Sequence, residues 1–324
     1  MKISVLIPSY NAGKTIEATL TSVFAQQVQP DEILILNDGS TDDTLARLEK
    51  YKDRIVVLSQ ENSGVACARN RLVQAAQGDI LAFLDADDLW HPSYLKIQKQ
   101  MIESFPQAVG YFTWHDDFVG YDPYCFENDA LIQSLDAKVI SPADFVTEYI
   151  KRPMRFQMSC FCMPKRLLEK LDSEPFSTAC VQAEDTYLHN MLPLWGSIVH
   201  TSMQLVAYRI VDSSLSANRL EGFKMMAVAY EKLDAHYKNC TNSRLHRAFN
   251  VANASAKRTF GKLLMHNGKI SEARNVFYRV AFDSPDLFST LKSLGLFCLA
   301  WLPSFAQTRY PLRHLWSRNT QRIV

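Results

Sequence analysis

The chain has 324 residues, 47% of them hydrophobic, and its 35 Lys and Arg nearly balance its 34 Asp and Glu, for a formal net charge of +1. This apolar share supplies a real core and excludes intrinsic disorder, and the near-neutral charge excludes a general nucleic-acid binder. The sequence has no run of about eighteen apolar residues, so we expect no transmembrane helix. The N-terminus enters a strand-like segment at once, so we expect no signal peptide. Seven cysteines at irregular spacing favour reduced thiols in a cytosolic protein.

Strands and helices alternate over the first ninety residues. Apolar runs predict strands at residues 3–7, 32–36, 55–58 and 80–84. Helical periodicity predicts helices at residues 14–25, 41–50 and 65–76. This alternation is typical of βαβ units around a mostly parallel sheet flanked by helices, which places the chain in the α/β class.

The rest of the chain follows two further patterns. Short strands are expected within a mixed segment, at residues 109–114, 157–163 and 204–209. Helices are expected after residue 220, at 223–237, 245–265, 270–281 and 287–302. We therefore predict an α/β domain over 1–218 and a helical extension over 219–324 that contacts an acceptor, a second copy of the chain or a membrane.

Polar clusters follow the four predicted strands of the first segment. They are Ser9-Tyr10-Asn11, Asp38-Gly39-Ser40, Asn62-Ser63-Gly64 and Asp85-Ala86-Asp87-Asp88. Ligands of open parallel sheets bind beyond the carboxyl ends of the strands, so these clusters should meet at one acidic, nucleotide-sized site. Each cluster alone is equally typical of an ordinary turn.

The last cluster places three carboxylates at the tip of a buried strand, in Phe83-Leu84-Asp85-Ala86-Asp87-Asp88. Carboxylates this close raise one another's pKa, and a hard divalent cation relieves the repulsion. Mg²⁺ and Mn²⁺ prefer such oxygen ligands. A solvated acidic turn that caps the next helix is the alternative interpretation.

Together with other stretches, this motif resembles the family 2 glycosyltransferases, which are inverting enzymes with a GT-A fold. The resemblance covers roughly residues 1–218. The matching stretches are Ser4-Val5-Leu6-Ile7-Pro8-Ser9-Tyr10-Asn11, Ile35-Leu36-Asn37-Asp38-Gly39-Ser40-Thr41-Asp42, Asn62-Ser63-Gly64-Val65-Ala66-Cys67-Ala68-Arg69-Asn70, the acidic motif above and Ala183-Glu184-Asp185.

The resemblance implies roles for the residues at the strand ends. Asp38 would read the uracil edge of a UDP donor, and Arg69 would contact the nucleotide or diphosphate. Asp87 would be the main protein ligand of Mn²⁺ or Mg²⁺, with Asp85 near the ribose and the metal. The other donor-binding residues would be Pro8, Tyr10, Asn11, Asn62, Gly64 and Ala86. The metal would neutralise charge on the departing diphosphate.

Glu184 and Asp185 stand at the start of a predicted helix over 186–192. Inversion needs one base opposite the leaving group, which takes the proton of the acceptor hydroxyl. An acidic pair at a helix N-terminus also has a purely structural explanation through the helix dipole. In the family pattern the second acid is the base, so the resemblance implies Asp185 rather than Glu184.

One departure from the family pattern is Val211, which stands where many relatives carry a His that helps hold the metal or the diphosphate. A non-catalytic nucleotide-sugar-binding or scaffold protein of the same fold therefore stays open as an alternative. A dinucleotide-binding dehydrogenase is disfavoured, because no Gly-x-Gly-x-x-Gly follows the first strand.

The end of the chain, residues 294–324, carries a hint of a membrane surface. An apolar stretch over 294–306 is too short to span a bilayer and contains Pro303, and the following tail holds four arginines and no acid. This combination suits peripheral contact with an anionic membrane. Packing on the domain or in a homodimer is the alternative.

From the residues and the resemblance together, we expect a metal-dependent inverting glycosyltransferase, cytoplasmic or at the inner face of the cell membrane. It would move a hexosyl or N-acetylhexosaminyl group from a UDP-linked donor to a hydroxyl of a glycan or lipid-linked acceptor. The setting that the resemblance implies is cell-surface polysaccharide synthesis.

Overall fold

The computed structural model describes residues 1–121, 126, 135–151, 156–171, 174–210, 218–283 and 287–301. Val211 and the basic tail beyond residue 301 lie outside the described residues. The chain forms two compact units, Met1–Phe249 and Asn250–Val324. The functional division predicted at residue 218 stays a prediction.

The first unit is built on one sheet, to which the described residues contribute nine strands. These are β1 Ile3–Ser9, β2 Glu32–Asp38, β3 Val56–Gln60, β4 Ile80–Phe83, β5 Leu89–Trp90, β6 Gly110–Val119, β7 Ala137–Ile140, β8 Phe161–Pro164 and β9 Ile198–Ile210. The order is β3-β2-β1-β4-β8-β6-β9-β5, with β7 also paired to β9. The first four strands in this order are parallel to one another, and the rest of the sheet is mixed.

The helices flank this sheet and then continue alone towards the C-terminus. They are α1 Ile16–Phe24, α2 Thr44–Leu48, α3 Val65–Ala75, α4 Tyr94–Ser104, α5 Pro142–Lys151, α6 Glu184–Met191, α7 Arg219–Lys238, α8 Ser243–His266, α9 Ile270–Phe282 and α10 Leu287–Leu299. The predicted α/β class and the helical C-terminal region are thereby confirmed.

The mixed half of the sheet departs in detail from the sequence prediction. The segment 157–163 was expected to be one strand, but Met158–Cys160 forms a short 3-10 turn and β8 begins only after it. Strands β6 and β9 run longer than predicted, because they pair with each other from Gly110 to Val119. Strands β5 and β7 were not predicted, since they have only two and four residues.

The parallel strands align their carboxyl ends where the polar clusters begin. Strand β1 is buried along its whole length, as is typical of a parallel strand covered on both faces. Its register sets Ser9 beside Asn37, and that of β2 sets Asp38 beside Gln60. The polar residues that follow these strands therefore leave the sheet at one edge.

Helix α7 packs on α6, the helix that begins with the acidic pair. The Tyr237 hydroxyl donates to the backbone carbonyl of Asn190 at 2.7 Å, and the Tyr230 hydroxyl donates to its side-chain oxygen at 3.3 Å. The ring of Tyr237 stacks on Phe249 with centroids 3.8 Å apart. The first helix of the C-terminal region thus holds α6 in place.

We expect Gly39→Ala to destabilise the first unit. Gly39 has φ of +72°, and a Cβ there would lie 2.7 Å from the backbone nitrogen of Asn62. Backbone strain and this clash should cost about 1–3 kcal/mol, measured as a lower melting temperature. Gly222→Ala in α7 is the matched control, because its Cβ would meet nothing closer than 3.9 Å. That control should stabilise the helix by up to about 1 kcal/mol. A Gly39→Ala protein as stable as the parent would contradict the geometry.

Candidate active site

The loops after β1 and β2 are fastened to each other by Asn11 and Asp42. The Asn11 N–H donates to the Ser40 hydroxyl at 3.0 Å, and its side-chain oxygen accepts from the Thr41 N–H at 2.8 Å. The carboxylate of Asp42 accepts from the N–H of Gly13 at 2.9 Å. Asn11 adopts φ of +49°, a conformation that Asn tolerates better than most residues. Two of the predicted clusters therefore form one rigid edge.

Asp38 ties the loop after β3 to the same edge. Its Oδ1 accepts from the Gln60 side chain at 2.7 Å and from the Ser63 N–H at 2.9 Å. Its Oδ2 accepts from the Gly64 N–H at 2.8 Å. A carboxylate offers about four acceptor positions, so these bonds leave one for a ligand donor. Asp38 is buried and holds together the turns that follow β2 and β3.

The other predicted donor residues line this edge with different exposure. Pro8 and Ala86 are buried, whereas Tyr10 and Asn62 are exposed. The carbonyl of Ala86 accepts from the Thr19 hydroxyl at 3.0 Å, which holds the acidic turn against α1.

Arg69 of α3 joins the acidic turn to α6. Its Nη2 donates to Asp85 at 2.6 Å and its Nη1 donates to Glu184 at 2.5 Å. Only 4% of Arg69 is exposed, and its guanidinium carbon lies 5.6 Å from the centre of the Phe176 ring. Burial opposes the charge, but the two carboxylates raise the pKa of Arg69 above its ordinary value. The guanidinium is therefore a permanent positive charge between two acidic elements.

Asp185 follows Glu184 in the first turn of α6. Burial, together with the charge of Glu184, raises the pKa of Asp185 to about 7, against the opposing effect of Arg69. Its Oδ1 accepts from the Thr186 N–H at 2.5 Å. Gln182, just before the helix, has φ of +69°, a strained conformation that is often found at functional sites. A carboxyl group with a pKa near 7 suits general-base chemistry.

Asp87 lies in the acidic turn beside Asp85, and its carboxyl group is largely removed from solvent. Burial and the neighbouring charge of Asp85 raise the pKa of Asp87 to about 6. Arg209 donates at 2.8 Å to the backbone carbonyl of Asp87 and not to its carboxylate. Within the described part of the chain no three His, Cys, Asp or Glu side chains are grouped to hold a metal. Asp87 and Asp85 fit a metal that takes one or two protein carboxylates and completes its shell with phosphate and water.

Ser159 and Asp88 form a support beneath this turn that the sequence did not reveal. The Ser159 hydroxyl accepts from the Asp85 N–H at 3.0 Å and donates to Asp88 at 2.5 Å. The other oxygen of Asp88 accepts from the Arg209 N–H at 2.9 Å. Burial raises the pKa of Asp88 well above its ordinary value. The third acid of the motif is thus part of the scaffold, and only its place beside Asp87 could have hinted at this.

We expect Asp185→Asn to stabilise the fold at pH 8. Because the folded-state pKa of Asp185 is raised, its proton stabilises the fold at low pH, and this contribution is lost as the pH rises from about 4 through 7. The variant should melt about 3–8 °C above the parent at pH 8, and the gap should shrink as the pH falls. Scanning fluorimetry over this pH range measures the effect.

Glu184→Gln is the matched control for that measurement. It removes a charge partner of buried Arg69 and should lower the melting temperature at every pH. Equal shifts in the two variants would contradict the separate roles that the geometry gives to the two acids.

Comparison with known proteins places the chain among sugar transferases. The sequence model described as Glycosyl transferase family 2 matches residues 4–141. The putative teichuronic acid biosynthesis glycosyltransferase TuaG of Bacillus subtilis (strain 168) is 30% identical over 251 residues, which is 74% of this chain and 91% of TuaG. The UDP-Glc:alpha-D-GlcNAc-diphosphoundecaprenol beta-1,3-glucosyltransferase WfgD of Escherichia coli is 29% identical over 226 residues, 68% of this chain and 82% of WfgD.

Solved structures share the fold of this chain, which confirms the predicted GT-A architecture. S. aureus TarS 1-349 in complex with UDP-GlcNAc has a TM-score of 0.70 and 17% identity, over 93% of this chain and 90% of that one. The mannosyltransferase PcManGT from Pyrobaculum calidifontis, in complex with GDP-Man and Mn²⁺, has a TM-score of 0.58 and 17% identity, over 95% of this chain and 83% of that one.

Proposed function

This chain belongs to glycosyl transferase family 2, and we propose that it transfers a sugar from a UDP-linked donor to an acceptor hydroxyl, with inversion at the anomeric carbon. The observation that carries the proposal is the buried Arg69, which brings Asp85 of the acidic turn and Glu184 of α6 to one place. The arrangement supports the proposal because Asp185, a carboxyl with a pKa of about 7, follows Glu184 in the chain and feels the charge of Asp85 in the acidic turn.

Asp185 is the proposed base. It takes the proton of the acceptor hydroxyl while that oxygen bonds to the anomeric carbon, and the bond from this carbon to the diphosphate breaks. UDP leaves with the bonding electrons, and Asp185 is left protonated. Its pKa near 7 supports the proposal, because the group is basic enough to accept the proton and is partly ionised at neutral pH.

The donor is proposed to lie along the edge made by the first strand ends. Asp38 has one acceptor position left for the uracil N–H, and the neighbouring wall would come from the predicted residues Pro8, Tyr10, Asn11, Asn62, Gly64 and Ala86. Arg69 donates to Asp85 and Glu184 with two of its five N–H donors, so contact with the diphosphate would use the remaining donors. Its proposed role is therefore both to position these acids and to meet the phosphates.

Mn²⁺ or Mg²⁺ is the proposed cofactor, held by Asp87 with Asp85 beside it. Such an ion, when bound, neutralises the charge of the departing diphosphate. The raised pKa of Asp87 supports the assignment, because a cation would relieve the repulsion that causes it. The PcManGT structure contains Mn²⁺ together with a nucleotide sugar.

The acceptor is proposed to be a glycan or a lipid-linked sugar in cell-surface polysaccharide synthesis. TuaG is named for teichuronic acid biosynthesis, and WfgD for transfer of glucose to a sugar on diphosphoundecaprenol. The transferred group is proposed to be a hexose or an N-acetylhexosamine. A non-catalytic protein of the same fold is the alternative that Val211 favours, and it would bind donors without turnover.

Asp185→Asn should lower kcat by about 10²–10⁴-fold and change the affinity for the UDP-sugar by no more than about threefold. Release of UDP in the presence of Mn²⁺, over a panel of labelled donors and acceptors, measures the first effect, and calorimetry measures the second. In the parent, kcat/KM should rise with pH and level off above about pH 7, because the base must be ionised. A larger loss of kcat in Glu184→Gln than in Asp185→Asn would move the base to Glu184.

Asp87→Asn should remove the part of UDP stabilisation that depends on Mn²⁺. In the parent, UDP with Mn²⁺ should raise the melting temperature more than UDP with EDTA, because ligand binding to the folded state stabilises it. In the variant the two conditions should agree. Asp53→Asn at an exposed position is the matched control and should behave as the parent. A parent protein that UDP stabilises equally with EDTA would contradict the assignment of Asp87.

A further inference from the structure

The near-zero net charge of the chain is the sum of two opposite halves. Residues 250–324 carry 11 Lys and Arg against 3 Asp and Glu, a net charge of +8. Residues 1–249 carry the other 24 against 31, a net charge of −7. From residue 287 onwards the sequence contains no acid at all. The second unit is therefore strongly basic, although the whole chain is not.

Helix α10 of this unit buries two serines together with Leu296 and exposes several large apolar side chains. Its buried face carries Ser289 and Ser293, whose hydroxyls accept from Arg258 of α8 at 2.6 and 3.4 Å. Its opposite face exposes 73% of Leu287, 77% of Phe288 and 58% of Leu291. A helix that only contributes to the core of its own unit would bury such large apolar side chains.

Aromatic side chains extend this exposed face onto α9. Tyr278 contacts Phe297 with ring centroids 6.0 Å apart, and Phe297 contacts Trp301 at 6.3 Å. Phe282, which is 71% exposed, packs beside Tyr278 at 4.6 Å. The guanidinium of Arg274 stacks on Trp301, 3.7 Å from the ring centre. We call the exposed side chains of Tyr278, Phe282, Leu287, Phe288, Leu291 and Trp301 the apolar ridge.

We propose that the apolar ridge is a docking surface for an anionic lipid membrane, into which its side chains insert to the depth of the headgroups. Exposed Leu and Phe beside Tyr, Trp and basic residues are the composition of an interfacial surface. Charge complementarity selects the occupant, because the unit that carries the ridge has a net charge of +8, Lys292 included, although Asp283 and Asp286 lie between Phe282 and Leu287. No helix in the described part of the chain has the length and hydropathy to cross a bilayer, so the contact is peripheral.

Lys262 of α8 adds to the basic surroundings of α10. Burial, helped by the charges of Lys292 and Arg258, lowers the pKa of Lys262. Three cations thus gather where α10 meets α8, and they contribute to the net positive charge of the second unit. The electrostatic contribution of these cations to membrane binding weakens as salt is added, whereas insertion of the apolar ridge does not depend on salt in this way.

Flotation of the full chain with lipid vesicles tests the proposal. The parent should bind vesicles of phosphatidylcholine with phosphatidylglycerol at least about tenfold more tightly than vesicles of phosphatidylcholine alone. Phe288→Ser with Leu291→Ser should lose at least about tenfold of the binding to the anionic vesicles. The matched control, Val56→Ser with Val139→Ser, replaces residues that are 51% and 54% exposed in the first unit and should bind as the parent.

Two further measurements separate the other occupants of the ridge. The melting temperature of the ridge variant should equal that of the parent, and a clear fall would show that the ridge is covered within the folded chain. Light scattering should give the same mass for both, and a dimer in the parent that dissociates in the variant would assign the ridge to a second copy. Either result, or equal vesicle binding by parent and variant, overturns the proposal. The rate of UDP release in an assay with a soluble acceptor should be the same in the ridge variant as in the parent. This test is therefore independent of the proposed transferase activity.

Discussion

The buried guanidinium of Arg69 is the interaction on which the candidate site depends. A charge removed from water is costly unless opposite charges surround it, and Arg69 meets this need with Asp85 and Glu184, which lie 16 and 115 residues away in the chain. The bond to Asp85 holds the turn after β4, and the bond to Glu184 holds the start of α6. Loss of either partner would leave the buried charge with one carboxylate instead of two, so both bonds favour a fixed arrangement of the acidic turn and the helix within the first unit.

The same cluster holds more negative than positive charge, and burial together with this excess raises the pKa of two of its carboxyl groups. Asp85, Asp87, Glu184 and Asp185 share the partial compensation of Arg69, and the pKa of both Asp87 and Asp185 is raised. A raised carboxyl pKa means that the ionised site destabilises the fold, and a bound cation or proton relieves the strain. The proposed metal and the proposed proton transfer thus use the same electrostatic excess at two places. The repulsion that lowers the free energy of unfolding without ligands is the same repulsion that the proposed catalysis uses.

The parallel half of the sheet was predictable because each of its strands has a recognisable pattern within a few consecutive residues. Strands such as β1 and β4 are buried throughout and read as short apolar runs between turns, and the polar residues after them fall at one edge by the geometry of parallel sheets. The support of the site was not predictable, because Ser159 and Arg209 reach the acidic turn from 74 and 122 residues away. The hydroxyls of Tyr230 and Tyr237 likewise reach α6 from a helix whose sequence shows only periodicity. The burial of the α10 serines depends on contacts with Arg258 of α8, which no pattern within α10 reveals.

The opposite charges of the two units make a further connection between binding and electrostatics. A nucleotide sugar is negatively charged, and the unit proposed to bind it has a net charge of −7. Long-range electrostatics of this unit therefore opposes its approach, and a divalent cation that accompanies the diphosphate would neutralise the donor's charge and remove this repulsion. The second unit, at +8, attracts anionic surfaces without such help. Screening by salt should therefore weaken attachment to lipid, whereas a donor whose charge is neutralised by its cation should respond less to ionic strength.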